Sequence, residues 1–307
     1  MPSYCPICQS ANTIKLREYK STSSILKSIN LTSCNNCFLV FANPMPEIDI
    51  WNQYNSDYFN VAHGGITNDT NTINFFKGMA AVRMNYILNY LILNSIVLNS
   101  ILEIGPGVGY LAEKWLKFFP NIKYSVVETD SSCHSALKKL GVNVFKDIKQ
   151  IPESSIFDLV IHSHVLEHVI KPVDFLELNI KYLGRGGVLF IDVPCNDWKF
   201  KEIDEPHLLF FDKIPMFHLL NNILKHKNIQ ISYHGNEISK IIKMQNFSLS
   251  KKIAIKLRLN ILFKIFNWFL FFDNKYLTLN EYLMIYDFKP HFTNEKESWW
   301  LRSVSIK

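Results

Sequence analysis

Hydrophobic and polar positions form three successive patterns in the first hundred residues. Residues 38–44 are a short apolar run that ends at a proline, which predicts a strand. Residues 60–75 are rich in Asn, Asp and Gly and predict a polar loop. Apolar residues at helical spacing then predict a helix from Phe76 to about Asn94.

Between residues 99 and 194 the pattern changes to apolar runs that end at polar or acidic residues. The run at 101–104 leads into a glycine-rich turn and then into a helical pattern. Runs at 124–127 and 157–161 predict two further strands. Side chains just past such strands are candidate ligands, because open α/β sheets bind ligands beyond the carboxyl ends of their strands.

Composition and charge set limits on the class of protein. The 307 residues, 48% of them hydrophobic and 20% charged, suffice for one full domain with smaller additions and exclude a disordered chain. The net charge of +6 permits an anionic partner without requiring one. The first residues do not resemble a signal peptide, and no apolar run reaches the roughly 18 residues of a membrane-spanning helix.

The cysteines predict a metal site near the start of the chain. Four of the six cysteines form two C-x-x-C pairs, Cys5, Cys8, Cys34 and Cys37. Four thiolates predict a closed, tetrahedral and therefore structural zinc site in a reducing cytoplasm. Two unrelated thiol pairs are the alternative, whereas a redox pair is disfavoured because no strand–helix unit frames either motif.

The glycine-rich turn does not have the pattern of a phosphate-binding loop. A P-loop requires Gly-Lys-Ser/Thr, which is absent, and a dinucleotide-binding turn requires a third glycine where Tyr110 stands. Instead, an acid precedes three alternating glycines, in the order Glu103, Gly105, Gly107 and Gly109. This pattern suits a bulky ligand with a cationic end.

Two further acids complete a description of that ligand. Glu128 ends the next strand and could accept hydrogen bonds from both hydroxyls of a ribose. Asp147 follows a third short strand, where it could meet the amino group of an adenine. An amine, a ribose and an adenine together describe S-adenosylmethionine. The alternatives are that Glu128 only precedes a helix cap at Asp130 and that Asp147 is a solvated turn residue.

Four segments in register carry a family resemblance: LEIGPGVG, VVETD, FDLVIHSHVLEHV and GGVLFIDVP. Residues 99–194 therefore resemble a class I S-adenosylmethionine-dependent methyltransferase. The resemblance implies an α/β fold with a seven-stranded, Rossmann-like sheet, and it places His164 among the residues that bind the cofactor.

A histidine-rich segment follows the strand at 157–161. His164 to His168 spell H-x-x-E-H, a zinc-peptidase signature, and on a helix both histidines would share one face. The segment begins just past a strand, however, so we do not expect a peptidase. His168 is then either an anchor of the loop or an active-site residue.

A second polar segment, at 195–211, has the composition of a substrate loop. We expect His207 to act as the general base of methyl transfer, with Glu205 orienting it. The alternative is that His207 is a structural hydrogen-bonding residue of the loop.

The zinc motif and the P-H-L-x-F-F loop extend the resemblance to bacterial methyltransferases that modify sugars of surface polysaccharides and antibiotics. Deoxysugar C-methyltransferases carry a Glu-His pair in the comparable loop, but here Pro206 separates Glu205 from His207. C-methylation is therefore uncertain, and O-methylation of a sugar is at least as well supported. Ubiquinone-type O-methyltransferases are similar to the core but lack the zinc motif.

The resemblance implies four regions, listed here with their residues: a zinc-binding module (1–48), an aromatic and polar loop with a helical connector (49–98), a methyltransferase domain (99–292) and a C-terminal tail (293–307). Residues 236–275 form a basic, apolar and helical insert before the last, antiparallel strand, which we expect at 281–287. Residues 251–272 suit peripheral contact with an anionic membrane, and packing on the core or self-association is the alternative.

We therefore predict a cytoplasmic enzyme, with a peripheral position at the inner face of the membrane as an option. It would methylate a small, sugar-type acceptor in polysaccharide biosynthesis, with S-adenosylmethionine and structural zinc as cofactors. One alternative is an rRNA or tRNA methyltransferase that grips RNA with the zinc module, although we expect no specific nucleic acid partner. The other is an inactive scaffold.

Overall fold

The structure is a computed structural model that describes residues 4–23, 26–56, 65–245, 264, 265, 267, 268 and 275–307. Two sheets organise these residues. The smaller sheet has the order β1-β2-β3-β9, with neighbouring strands antiparallel. Its strands are β1 Thr13–Glu18, β2 Asn30–Cys34, β3 Val40–Asn43 and β9 Leu209–Phe210.

The larger sheet is mixed and has the order β11-β10-β12-β8-β7-β4-β5-β6. Strands β4 to β8 run parallel to one another, and β12 joins β8 antiparallel. Its strands are β4 Ser100–Ile104, β5 Lys123–Val127, β6 Asn143–Phe145, β7 Phe157–Ser163, β8 Leu183–Pro194, β10 Lys227–Glu237, β11 Thr293–Asn294 and β12 Ser298–Ile306. The predicted α/β class is confirmed, but this sheet has eight strands in the described residues rather than seven.

Helices lie between most of these strands. They are α1 Ile48–Ser56, α2 Thr70–Leu93, α3 Tyr110–Phe118, α4 His134–Lys139, α5 Pro172–Ile180, α6 Lys213–Phe217, α7 Ile238–Gln245 and α8 Leu279–Ile285. Helix α2 begins six residues before the predicted start at Phe76, because the carboxylate of Asp69 caps it by accepting from the Thr72 N–H.

Two expectations about the end of the chain are wrong. Residues 281–287 do not form the last strand, because Thr278 and Glu281 form a capping box that begins helix α8. Residues 293–307 are not a tail, because they contain β12, which lies between β8 and β10. Most side chains of β12 are buried, as expected for a strand inside a sheet that is covered on both faces.

The core is divided between the two faces of the large sheet. Helices α2, α3 and α8 cover one face, where Ile101, Ile161 and Phe190 are buried. The smaller sheet and α5 cover the other face, against side chains such as Val160 and Ile191. The helical connector, which contains α2, and the N-terminal module therefore pack against opposite faces of the large sheet.

No helix in the described part of the chain is both long and apolar enough to cross a bilayer. Helix α7 belongs to the predicted insert at 236–275, but most of that insert lies outside the described residues, as does nearly all of the proposed membrane contact at 251–272.

Candidate active site

The glycine-rich turn follows β4 and brings its backbone close to the neighbouring loop. Gly105 has φ +68°, a left-handed conformation that favours glycine. A Cβ atom at Gly105 would lie 2.6 Å from Cγ2 of Val165, so a side chain there would collide with the loop after β7. The turn thus forms a tight backbone cradle at the carboxyl end of the sheet.

Glu128 holds this cradle from the end of β5. Its carboxylate is buried and accepts hydrogen bonds from the Gly107 N–H and the Asp130 N–H, each at 2.8 Å. Burial raises the pKa of Glu128. Each carboxylate oxygen can accept a second hydrogen bond, so the predicted contact with ribose hydroxyls is compatible with this arrangement. Asp130 caps the 3₁₀ turn at Ser131–Cys133, as expected under the alternative in which Glu128 only precedes a cap.

Glu103 lies at the end of β4 and is buried on the face covered by α2. The Tyr124 hydroxyl donates to its Oε2 at 2.8 Å, and burial raises the pKa of Glu103 to about 7. The positive charge of Arg83 opposes this rise.

Arg83 is a candidate site residue that the sequence pattern did not single out. It projects from α2, and its Nε lies 2.5 Å from Oδ2 of Asp192, which is fully buried in β8. The available signal was a single arginine within the apolar pattern of a helix, at a position where a surface cation is not expected. Its guanidinium could hold a carboxylate group of a ligand.

Asp147 is exposed after β6, and its Oδ1 accepts from the Lys149 N–H at 2.8 Å to cap a 3₁₀ turn. The contact between Asp147 and adenine stays a prediction. The hydrogen bond from the Lys149 N–H is the one expected under the alternative, in which Asp147 is a turn residue.

His164 has φ +56°, and its N–H donates to the Asp192 carbonyl at 2.8 Å. Residues 166–168 form a single 3₁₀ turn, so His164 and His168 do not share a helix face. The helical geometry of the zinc-peptidase signature is therefore absent. The His164 Nδ1 lies 3.3 Å from Oε1 of Glu167, and the His164 side chain is 35% exposed.

His168 and His207 come together from different loops, with ring centroids 5.0 Å apart. Nδ1 of His168 lies 3.2 Å from the Pro206 carbonyl oxygen, and burial lowers the pKa of His168 to about 4. Trp51 of α1 supports the same turn, since its indole N–H donates to the His168 carbonyl at 2.6 Å.

The expectation that Glu205 orients His207 is wrong. The Glu205 carboxylate accepts from the Ser21 hydroxyl at 2.6 Å and the Ser23 N–H at 3.1 Å, in the N-terminal module. Asp197 takes the predicted place, with its Oδ2 2.8 Å from Nδ1 of His207. Glu205 was predicted because it stands near His207 along the chain, whereas Asp197 reaches His207 through the fold.

Asp197 is itself held as a carboxylate. Burial alone would raise its pKa, but His207 and Lys201 outweigh that effect and hold the pKa of Asp197 below its ordinary value. The Lys201 Nζ lies 2.6 Å from the same Oδ2. An ionised carboxylate only accepts hydrogen bonds, so Nδ1 of His207 donates to Asp197, and in the neutral form of the ring Nε2 is the acceptor.

The N-terminal module holds the loop that carries His207. The Arg17 guanidinium contacts both carboxylate oxygens of Asp204, at 2.6 and 2.7 Å. The Tyr19 hydroxyl donates to the His207 carbonyl at 2.8 Å. Strand β9 follows directly and pairs with β3, so this loop is an extension of the smaller sheet.

The four predicted metal-ligating cysteines form one cluster. Their Sγ atoms all lie within 4.8 Å of one another, with Cys5 and Cys37 at 3.4 Å and Cys8 and Cys34 at 3.5 Å. Tetrahedral zinc with Zn–S bonds of about 2.3 Å requires separations of about 3.8 Å. The donor set and its spacing therefore fit a closed zinc site.

Comparison with known proteins identifies relatives of the core. One similar protein is the mitochondrial ubiquinone biosynthesis O-methyltransferase of Candida albicans, 32% identical over 109 residues. That match covers 32% of this chain and spans only about a third, 33%, of the relative.

Solved structures are similar at lower identity. The plantazolicin methyltransferase BpumL in complex with SAH is 17% identical, with 76% of this chain and 84% of that chain covered and a TM-score of 0.46. A SAM-dependent methyltransferase from Archaeoglobus fulgidus is 16% identical, with 81% and 98% covered and a TM-score of 0.48.

The family described as "Methyltransferase domain" matches residues 79–240, which is more than half of the chain. The matched region begins within α2 and extends into α7, so it contains the glycine cradle, both strand-end acids and both histidine loops. The chain belongs to the methyltransferase domain family.

Proposed function

We propose that this protein transfers a methyl group from S-adenosylmethionine to a sugar of a surface polysaccharide or of its activated precursor. The observation that carries the proposal is the convergence of two sets of residues at one edge of the sheet. Glu103, the glycine cradle and Glu128 form the donor side. His168 and His207 form the acceptor side.

The donor side fits the chemistry of S-adenosylmethionine, which supplies an electrophilic methyl group on a positively charged sulfur. Glu103 would place negative charge beside the ammonium group, and Arg83 would face the carboxylate of the same amino acid moiety. Glu128 would accept from the ribose hydroxyls while it continues to hold the Gly107 N–H. The backbone of the cradle allows close approach because no side chain fits at Gly105.

The acceptor side provides a base for the acceptor hydroxyl. His207 can take the hydroxyl proton at Nε2, because Asp197 keeps the proton of the neutral imidazole on Nδ1. Bound S-adenosylmethionine would supply the methyl group, whose bond to sulfur would break as the oxygen–methyl bond forms, leaving the sulfur neutral. The partial match to an O-methyltransferase favours oxygen over carbon as the methylated atom.

Two features support a sugar-type acceptor. The resemblance to sugar-modifying methyltransferases includes the four-cysteine cluster, which we propose binds structural zinc. In addition, the loop with His207 is joined to that cluster through β3 and β9.

We place the enzyme in the cytoplasm. Peripheral contact between residues 251–272 and anionic lipid rests on sequence alone, because most of those residues lie outside the described part.

The experiment measures donor binding first and acceptor choice second. Calorimetry should detect binding of S-adenosylmethionine and its demethylated product, and Glu128→Ala should weaken both by about 10- to 100-fold, since it removes hydrogen bonds to a charged group. Glu113→Gln is the matched control, because this partly exposed acid of α3 pairs with Lys77 and not with the cradle.

Acceptor choice is then read with donor carrying a labelled methyl group. Nucleotide sugars, lipid-linked sugars, catechol-type quinone precursors and ribosomal RNA are offered separately, and NMR of the product identifies the methylated atom. His207→Gln should lower kcat by about 10²- to 10⁴-fold, the usual contribution of a general base. Transfer to RNA or to quinone precursors alone would replace the sugar proposal.

A further inference from the structure

We propose that this protein forms a two-fold symmetric homodimer through an apolar surface at the end of the sheet opposite the glycine cradle. The surface consists of an open cleft and of a knob beside it, which we define as Leu93 and Val97. Asn99 of the cleft directly precedes β4 and Ile122 directly precedes β5, so the cleft lies at the amino ends of these strands. The cradle, in contrast, follows the carboxyl end of β4.

The cleft lies between α2 and α3. One wall comes from the end of α2 and the turn after it, within residues 88–99, and the other from the end of α3 and the following turn, within residues 115–122. Its volume is about 460 Å³, in the range of pockets that hold bulky apolar groups. None of the described residues that line it is charged, and most are apolar or aromatic, such as Leu91, Leu98 and Phe118. The cleft is therefore suited to apolar side chains.

The knob presents its side chains to solvent on a fixed turn. Among the large hydrophobic side chains of the described residues, Leu93, Val97 and the adjoining Ile92 are the three most exposed, at 79%, 74% and 73%. The Ile96 N–H donates to the Leu91 carbonyl at 2.9 Å and closes the turn after α2. Because the turn is ordered before association, burying its side chains costs little further conformational entropy. Contiguous exposed apolar side chains of this kind mark an interaction surface.

A second copy of this chain accounts for both the cleft and the knob. A small molecule could fill the cleft, but Leu93 and Val97 lie beside the cleft rather than in its lining and would stay exposed. Because the knob and the cleft belong to one surface, a two-fold rotation can place the knob of each copy at the cleft of the other. The surface is thus complementary to itself, as the interface of a two-fold dimer must be.

The distribution of charge favours the same partner. Residues 84–102 contain no Asp, Glu, Lys or Arg. Near a two-fold axis a charged side chain meets its own copy and is repelled, whereas an amide such as that of Asn94 or Asn99 can donate to its copy and accept from it. An anionic membrane is the less favoured partner, because helices that lie in a membrane interface are rich in Lys and Arg.

The first experiment measures association of the full-length protein by analytical ultracentrifugation. We expect a concentration-dependent equilibrium between one and two copies. Leu93→Asp should raise the dissociation constant of the dimer by at least about 30-fold, because it places a charge within the apolar surface. Ile14→Asp is the matched control, because Ile14 is an exposed apolar residue of β1 in the smaller sheet, and it should leave the dissociation constant unchanged.

A second variant separates insertion into the cleft from unspecific adhesion. Leu98→Trp fills the cleft from its own side and also adds apolar area, so insertion predicts a weaker dimer and unspecific adhesion predicts a stronger one. When the Leu93→Asp and Leu98→Trp proteins are mixed, the intact knob of the second can enter the intact cleft of the first. We therefore expect heterodimers at a concentration where neither variant associates alone, and a fluorescent label on one variant detects them.

Three results would overturn the proposal. They are a wild-type protein that remains a single chain at about 100 μM, a Leu93→Asp protein that dimerises as tightly as the wild type, and two variants that are folded by circular dichroism but form no heterodimer. A single chain that floats with phosphatidylglycerol vesicles would instead assign the surface to a membrane, with the exposed Lys117 and Lys123 adjoining the wall of α3. The proposed function is tested separately, because the cradle lies at the other end of the strands.

Discussion

The buried carboxyl of Glu103 should make donor binding depend on pH. Burial raises its pKa to about 7, so the side chain loses its charge just below neutrality. Because a neutral carboxyl attracts an ammonium group less, we expect affinity for S-adenosylmethionine to fall by up to about tenfold per pH unit below 7. Calorimetry across this range measures the slope, which Glu103→Gln should reduce.

The same carboxyl has the opposite effect on the stability of the ligand-free protein. A folded-state pKa above the unfolded value means that protonation favours the folded state. The contribution of Glu103 to stability is therefore fully present below its ordinary pKa of 4.5 and is lost as the pH rises towards about 7.

For the binding prediction, an affinity for S-adenosylmethionine that does not change with pH in the wild-type protein would contradict a role for Glu103 beside the ammonium group.

The residues of the donor side were easier to predict than those of the acceptor side. Glu103 and Glu128 each end a strand, so a local pattern indicates where they lie. Asp197 and Arg83 contact their partners only through the fold: Asp197 reaches His207 across a loop, and Arg83 reaches Asp192 from another element. Sequence adjacency suggested Glu205 instead, and the N-terminal module holds that side chain.

Among the elements, the smaller sheet links the cysteine cluster to the acceptor side. Strand β3 pairs with β9, and Asp204 on the same loop is held by Arg17. Loss of the zinc that we propose for the cysteine cluster should therefore displace His207 without disturbing the glycine cradle. We expect Cys8→Ser to lower kcat by about a hundredfold, the cost of a displacement near 1 Å, while the Kd for the donor stays unchanged.

Two measurements accompany this prediction. Metal analysis confirms that zinc is lost, and limited proteolysis reports whether residues 204–211 become accessible. Cys133→Ala is the control, because Cys133 is a buried cysteine outside the cluster. Full kcat in a zinc-free Cys8→Ser protein would show that the cluster does not position the loop.

The elements that the sequence analysis misassigned lie near the end of the chain. Residues 281–287 combine apolar and polar positions in a way that fits a short strand, and the helix depends on the capping box of Thr278 and Glu281. Strand β12 was missed because its position between β8 and β10 depends on pairing with distant residues, which a local pattern does not report. The strands from β4 to β8 were predictable because each is an apolar run with polar ends.

For the molecule as a whole, a buried ion cluster joins three parts of the chain that are far apart in sequence. Asp192 of β8 lies beside Arg83 of α2 and Arg302 of β12, and the side chains of Asp192 and Arg302 are fully buried. The two arginines hold the pKa of Asp192 at about 2, although burial alone would raise it. The cluster thus connects the outer helix, the centre of the sheet and the last strand beside the donor side.

Breaking this cluster should destabilise the whole molecule. Asp192→Asn would leave the guanidinium of Arg302 buried without its countercharge, so we expect unfolding in urea to show a loss of about 3–5 kcal/mol. Glu113→Gln breaks the partly exposed pair with Lys77 and should cost at most about 1 kcal/mol. Since the folded-state pKa of Asp192 is depressed, its contribution is present above its ordinary pKa of 3.8 and is lost as the pH falls towards about 2. Equal losses in the two variants at neutral pH would mean that the buried cluster contributes no more than a surface pair, and the C-terminal strand would then be held by its backbone pairing and apolar side chains.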